Sequence, residues 1–184
     1  MFNENIPGTN ISYSNANDAF TVFRPMLEMT GGLSLGQVCK LTDLQPSTIQ
    51  NWVKRGYVQR PESKKYYERH LARILLISSL RDCMNIEEIG ELMVLINGDT
   101  EDENDDIVSE ATLYDFFCRA VRKMDELSLN DESIGAIISE ILKDESDELI
   151  RERLTHALKV MVYAYVSGKC LKQIKANLKE LRNA

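Results

Sequence analysis

Four polar side chains offer the clearest chemistry in this sequence: Ser47, Gln50, Asn51 and Lys54, inside the stretch STIQNWVKRGYVQRP that runs from Ser47 to Pro61. They stand at i, i+3, i+4 and i+7, a spacing that places all four on one face of a helix. Amides such as those of Gln50 and Asn51 pair bidentately with the N6/N7 edge of adenine, while Ser47 and Lys54 reach a base edge or a phosphate. Further cations follow in Arg55, Arg60, Lys64, Lys65 and Arg69, with Tyr66 and Tyr67 between them. Contacts to phosphates position a protein on DNA, and contacts to base edges select the sequence. Base reading is therefore assigned to Ser47, Gln50, Asn51 and Lys54. Phosphate contact is assigned to Arg55, Arg60, Lys64, Lys65, Tyr66 and Arg69; of the two adjacent tyrosines, one packs and the other touches a phosphate.

The charge distribution agrees. The chain of 184 residues carries a net charge of -7, yet Leu33 to Asp82 holds nine Lys/Arg against four acids, a net of +5, so everything else sums to -12. A basic island in an acidic protein suits a local polyanion contact and excludes indiscriminate coating of nucleic acid. Met1 to Ala19 is rich in Asn and Ser and holds no apolar run long enough for a signal segment or a membrane span. A cytoplasmic protein with no membrane contact is expected. Cys39, Cys83, Cys118 and Cys170 lie far apart within helical patterns, and only His70 and His156 accompany them. Buried thiols, no metal site and no cofactor follow.

The elements that would carry the polar face are marked by local signals. Ser34 followed by Gln37 has capping-box spacing and starts a short helix over Leu35 to about Leu41. Thr42 to Gln45 is a tight connection. Pro46 suits the first turn of a second helix and Gly56 its end, with Ile49, Trp52 and Val53 as the inward stripe. Trp52 is thus a core residue rather than a stacking platform for bases. Two short helices in this arrangement make a helix-turn-helix pattern, whose second helix enters the major groove. A reduced hairpin is expected next, Tyr57-Val58 pairing with Lys65-Tyr66-Tyr67. A helix from Glu68 to Met84 and another from the Asn85/Glu88 capping box to Gly98 complete the unit.

The segment LSLGQVCKLTDLQPSTIQNWVKRGYVQRPESKKYYERHLARILLISSLRDCMNIEEIGELM resembles the DNA-binding domain of MerR-type regulators. The shared order is helix-turn-helix, an aromatic before a basic-Gly turn, a small wing ending in a tyrosine, and a capped final helix. More narrowly, NWVKRGYVQRPESKKYYER is similar to the YkrK-like bacterial proteins of unknown function, through Asn51, Trp52, Val53, Lys54, Pro61, Lys64, Lys65, Tyr66 and Arg69. The resemblance implies a bacterial transcription regulator with a winged helix-turn-helix. The long dimerising helix and the effector cysteines of the metal-sensing MerR proteins have no expected counterpart here, so neither metal sensing nor the MerR mode of promoter untwisting is implied.

The expected fold is all-α: an N-terminal MerR-like winged helix-turn-helix with a very short β-hairpin, plus a C-terminal helical bundle. Its divisions are a partly flexible arm over 1-32, the DNA-binding domain over 33-98, an acidic linker over 99-106 with six acids in eight residues, and a C-terminal domain over 107-184 for dimerisation or ligand binding. That domain reads as helices over 107-127, about 134-142 and 149-166, then a last helix whose Leu171, Ile174, Leu178 and Leu181 form a stripe at 3-4-3 spacing. The stripe either packs into its own bundle or forms a homodimer interface. Tyr114, Phe117, Met161 and Tyr165 are candidates to line a ligand pocket, or else plain core. The expected function is sequence-specific binding of double-stranded DNA by a homodimeric, non-catalytic regulator. The competing reading is a helix-turn-helix-shaped protein-interaction module that no longer binds DNA. A DNA binder should align Lys54, Arg55, Arg60, Lys64 and Lys65 with Gln50 and Asn51 along one ridge.

Overall fold

The computed structural model describes residues 5-12, 18-98, 106-124 and 130-183. Capping decides where its helices begin. Ser34 accepts from the Gln37 backbone N–H while the Gln37 side chain accepts from the Ser34 N–H, opening α2 (Leu35–Thr42). The same reciprocal pair joins Asn85 and Glu88 at the start of α5 (Ile86–Asn97). Pro46, which has no N–H to leave unsatisfied, begins α3 (Pro46–Lys54). Ahead of these lies α1 (Phe20–Thr30), and α4 (Glu68–Leu80) falls between α3 and α5. After the acidic segment come α6 (Glu110–Lys123), α7 (Asp131–Ile141) and α8 (Glu148–Asn183). The described residues are thus all-helical, with isolated β-bridges and no named strand. None of these helices is long and apolar enough to cross a membrane.

Helix α4 is the axis of the fold. His70 through Ile77 are all buried, and a helix covered on every side must lie inside the packing rather than on it. It packs against α2, α5, α6 and α8, and one hydrophobic cluster runs from Ile6 through Trp52 and Leu75 to Tyr165. Tyr114, Phe117, Met161 and Tyr165 belong to this core: all four are buried, and three rings meet edge-to-face or tilted. Tyr114, Phe117 and Met161 fill space, while Tyr165 also reaches the wall of a polar cavity between the N-terminal segment, the end of α4 and α8. The acidic stretch 99-105 lies outside the described residues.

Four expectations need revision. Of the four thiols expected to be buried, only Cys118 is; Cys39 is half-buried, and Cys83 and Cys170 are exposed. The arm over 1-32 is substantially built into the body: Ile6 is buried, the Tyr114 hydroxyl donates to the Pro7 carbonyl, and Asn10 donates to the carbonyls of Leu41 and Lys40. Residues 1-4 and 13-17 lie outside the described set. The hairpin is also differently paired. Glu62 bridges to Lys65, and Tyr66 bridges to Leu33 ahead of α2, in place of any pairing with Tyr57-Val58. Instead the N–H groups of Tyr57 and Val58 turn back to the Trp52 carbonyl at the end of α3. Finally, the two C-terminal helices expected over 149-166 and beyond are one helix, α8, 36 residues long, so the chain does hold a long C-terminal helix where none was expected. Gly168, a poor helix former by propensity, stands where a Cβ would come within 2.9 Å of the Asp82 Cβ. Its missing side chain lets α8 pass close to the end of α4.

The built-in arm gives a test. Gly8 has φ +76°, and a Cβ on it would lie 2.6 Å from the Leu75 carbonyl oxygen and 2.8 Å from Ser79 Oγ. Gly8→Ala should therefore destabilise the fold by about 1–3 kcal/mol in thermal or urea unfolding. Gly31→Ala, at φ +56° with nothing within 4 Å of the new Cβ, should cost only about 1 kcal/mol.

Candidate nucleic-acid interface

Helix α3 is divided cleanly into two sides. Ile49 is fully buried and Trp52 is 6% exposed, so the indole is part of the core. Ser47, Gln50, Asn51 and Lys54 are all exposed, and the spacing puts them together on the opposite face. The helix is held by its approach from α2 through three residues, Asp43 to Gln45. Asp43 takes the left-handed conformation at φ 56°, which Asp tolerates better than most side chains, and Leu44 is buried as the hinge between the helices.

Beyond α3 the chain forms a tight two-residue turn. The backbones of Glu62 and Lys65 exchange hydrogen bonds of 3.1 and 2.8 Å around Ser63 and Lys64, whose φ values are 49° and 65°. Two successive left-handed residues match the right-handed twist of a hairpin, at a conformational cost when neither is glycine. The turn holds Lys64 at its exposed tip. His70 at the start of α4 fastens the segment from behind. Its Nδ1 accepts from the Tyr67 N–H at 3.1 Å, so Nε2 carries the proton donated to the Arg60 carbonyl at 3.0 Å. Sequence reasoning missed His70 in this role, because nothing local in the chain announces a side chain that bridges two backbone groups seven residues apart.

The ten assigned residues fare differently. Lys54, Arg60 and Lys64 are exposed and make no ion pair among the described residues. Arg55 is turned away: it pairs with Glu87 of α5 at 2.6 Å and lies over the Tyr57 ring. The hydrogen bond from Arg55 holds the Glu87 carboxyl below its ordinary range. An ion pair this exposed is screened by salt and readily exchanged. Lys65 caps α1, donating to the carbonyls of Thr30 and Gly32 at 3.0 Å each. Tyr66, assigned to a phosphate, is only 4% exposed, and burial pushes its hydroxyl pKa up. It is the tyrosine that packs, edge-on to His70, while Tyr67 is exposed. Arg69 is half-buried and engaged within the fold. The expected ridge of five cations is therefore reduced to Lys54, Arg60 and Lys64. Leu171, Ile174, Leu178 and Leu181 are exposed along the last part of α8 and do not pack into the chain's own bundle.

Residues 30–117, somewhat less than half of the chain, match the model of a domain of unknown function, DUF1836, which covers α2 to α5 and most of α6. The chain is also similar to the "Uncharacterized protein YkrK" of Bacillus subtilis (strain 168), with 27% identity over 124 residues. That alignment takes in 64% of this chain and 52% of the relative, so the chain spans about half the relative's length. No solved structure matches the chain.

Proposed function

We propose that this protein is a sequence-specific DNA-binding regulator, in which α2 and α3 form a MerR-like helix-turn-helix and α3 enters the major groove. The observation that carries this reading is the division of α3. Two apolar side chains anchor it in the core, and Ser47, Gln50, Asn51 and Lys54 stand exposed together on its other face. Solvated helix faces are usually rich in Lys and Glu; two amides with a serine and a lysine form instead a set suited to base edges. Lys64 at the turn and Arg60 before it supply the phosphate contacts, in the place of a wing.

A second reading, a protein-interaction module of the same shape without DNA binding, is favoured by Arg55, Lys65 and Tyr66 being used inside the fold. Binding of the purified protein to fragments of its own upstream region, against random DNA at two salt concentrations, separates the two. Selective, salt-sensitive binding supports the regulator. Equal failure on both DNAs supports the interaction module.

The phosphate role has its own test. Arg60→Gln with Lys64→Gln should weaken binding to operator and random DNA alike and flatten the slope of log K against log salt by about 0.9 per lost contact. A loss confined to one operator would reassign these side chains to base reading.

A further inference from the structure

The last part of α8 carries an uncovered apolar stripe, although Lys169 lies over the Tyr165 ring and Lys172 pairs with Asp82. From Lys169 to Asn183 every residue is exposed, including Leu171, Ile174, Leu178 and Leu181 at 74% for the last. Helices in water owe most of their stability to an apolar face packed against something, and this one turns four large apolar side chains to solvent on a single stripe. The remaining faces are basic, with Lys169, Lys172, Lys175, Lys179 and Arg182.

A surface of matching chemistry lies on the same molecule. Between α5 and the first half of α8 runs a groove made of two adjoining depressions of about 450 and about 790 Å³, which share Leu92, Leu95, His156 and Val160. Its apolar walls include Leu95 and Leu149, 62% and 77% exposed, more than an unattended surface needs to show. Its acids are Glu88, Glu91 and Glu152; the cations in the lining are Arg153 and Lys159, and Lys159 is already bound to Asp131. The groove is thus apolar with an acidic margin, and the tail is apolar with a basic margin.

The tail cannot fold back into the groove of its own chain, because α8 is one continuous helix that carries both. We infer that the groove between α5 and α8 receives the C-terminal helical tail of a second copy of this chain. The lengths agree. The fifteen residues from Lys169 to Asn183 span about 22 Å, and the wall of α8 from Leu149 to Ser167 about 28 Å, at 1.5 Å per residue. With the tail antiparallel to the receiving α8, Leu171 falls beside Val160 and Leu181 beside Leu149, and Lys179 faces Glu152. The same register is its own inverse, so a two-fold axis near Tyr165 repeats the contact in the other copy. Two such contacts are how a pair of modest surfaces reaches the roughly 1,200–2,000 Å² buried in stable interfaces. The inference goes beyond the DNA reading and does not depend on it.

The test is sedimentation velocity of the full chain without DNA over a range of concentrations. The native chain should be a dimer. Ile174→Glu with Leu178→Glu in the tail, and Leu95→Glu in the groove, should each weaken dimerisation by at least about a hundredfold, with most of the helical circular dichroism signal kept because all three sites are exposed, and with melting lowered no further than that of the dilute, dissociated native chain. Lys175→Glu with Lys179→Glu should also separate the copies, and adding Glu91→Lys with Glu152→Lys should restore the dimer. A monomeric native chain overturns the inference. So does a dimer that survives the tail variant, or one that is lost with the tail variant but indifferent to Leu95→Glu, since the tail would then dock elsewhere.

Discussion

Arg73→Met should lower the unfolding free energy by about 3–5 kcal/mol, read from urea denaturation at neutral pH. Arg73 on α4 and Glu110 at the start of α6 form an ion pair whose side chains are 6% and 2% exposed, with Arg73 Nε donating to Glu110 Oε1 at 2.7 Å and a second guanidinium N–H directed to the same oxygen. The other carboxylate oxygen, Oε2, is buried with no partner among the described residues. Removing the arginine leaves that carboxylate in a medium that solvates charge poorly. The cost comes from the stranded ion more than from the lost attraction. The double variant Arg73→Met with Glu110→Leu should therefore recover most of the loss, as apolar replacements of buried ion pairs do. A loss under about 1 kcal/mol for the single variant would mean that water reaches Glu110 and the pair is not isolated.

On the DNA side, replacing Gln50 and Asn51 with Ala should remove base preference with little effect on stability. Each bidentate amide–adenine pair contributes about 1–3 kcal/mol of discrimination, so the selectivity between the preferred site and point-substituted sites should fall by one to two orders of magnitude at the affected positions. Binding to random DNA should change far less, because the phosphate contacts are untouched. Both side chains are exposed on α3, so thermal unfolding should shift by less than about 0.5 kcal/mol. Competition binding against a panel of single-base substitutions measures the effect. An unchanged preference would take Gln50 and Asn51 off the reading face, and α3 would then be a structural helix with a solvated surface.

The parts of this fold that were legible in the sequence are those written over a few neighbouring residues. Ser34 with Gln37, Asn85 with Glu88 and Pro46 each mark a helix start, and each does so in the structure. The division of α3 was legible for the same reason, since 3.6-residue periodicity separates Ile49 and Trp52 from Ser47, Gln50, Asn51 and Lys54 without knowledge of the neighbours. What was not legible depends on partners far along the chain. Tyr66 pairs with Leu33, Lys65 reaches Thr30 and Gly32, and Arg55 meets Glu87. A cation in a basic island looks available until the acid or carbonyl that occupies it is placed. Ile6 shows the opposite case, an apolar residue in a mostly polar stretch, too little to signal order locally yet buried in the core of the folded chain.

Gly168 has a consequence for how this sequence can vary over time. Its hydrogen sits where any side chain would meet Asp82, and Asp82 in turn holds Lys172 one helical turn further along at 2.5 Å. Replacing Asp82 changes both the space beside Gly168 and the charge opposite Lys172. A side chain at 168 fits without a shift only with glycine at 82, because the atom it would meet is the Asp82 Cβ, and that change releases Lys172. Asp82 therefore links the two positions on α8, and residues 82, 168 and 172 are expected to vary together across related chains.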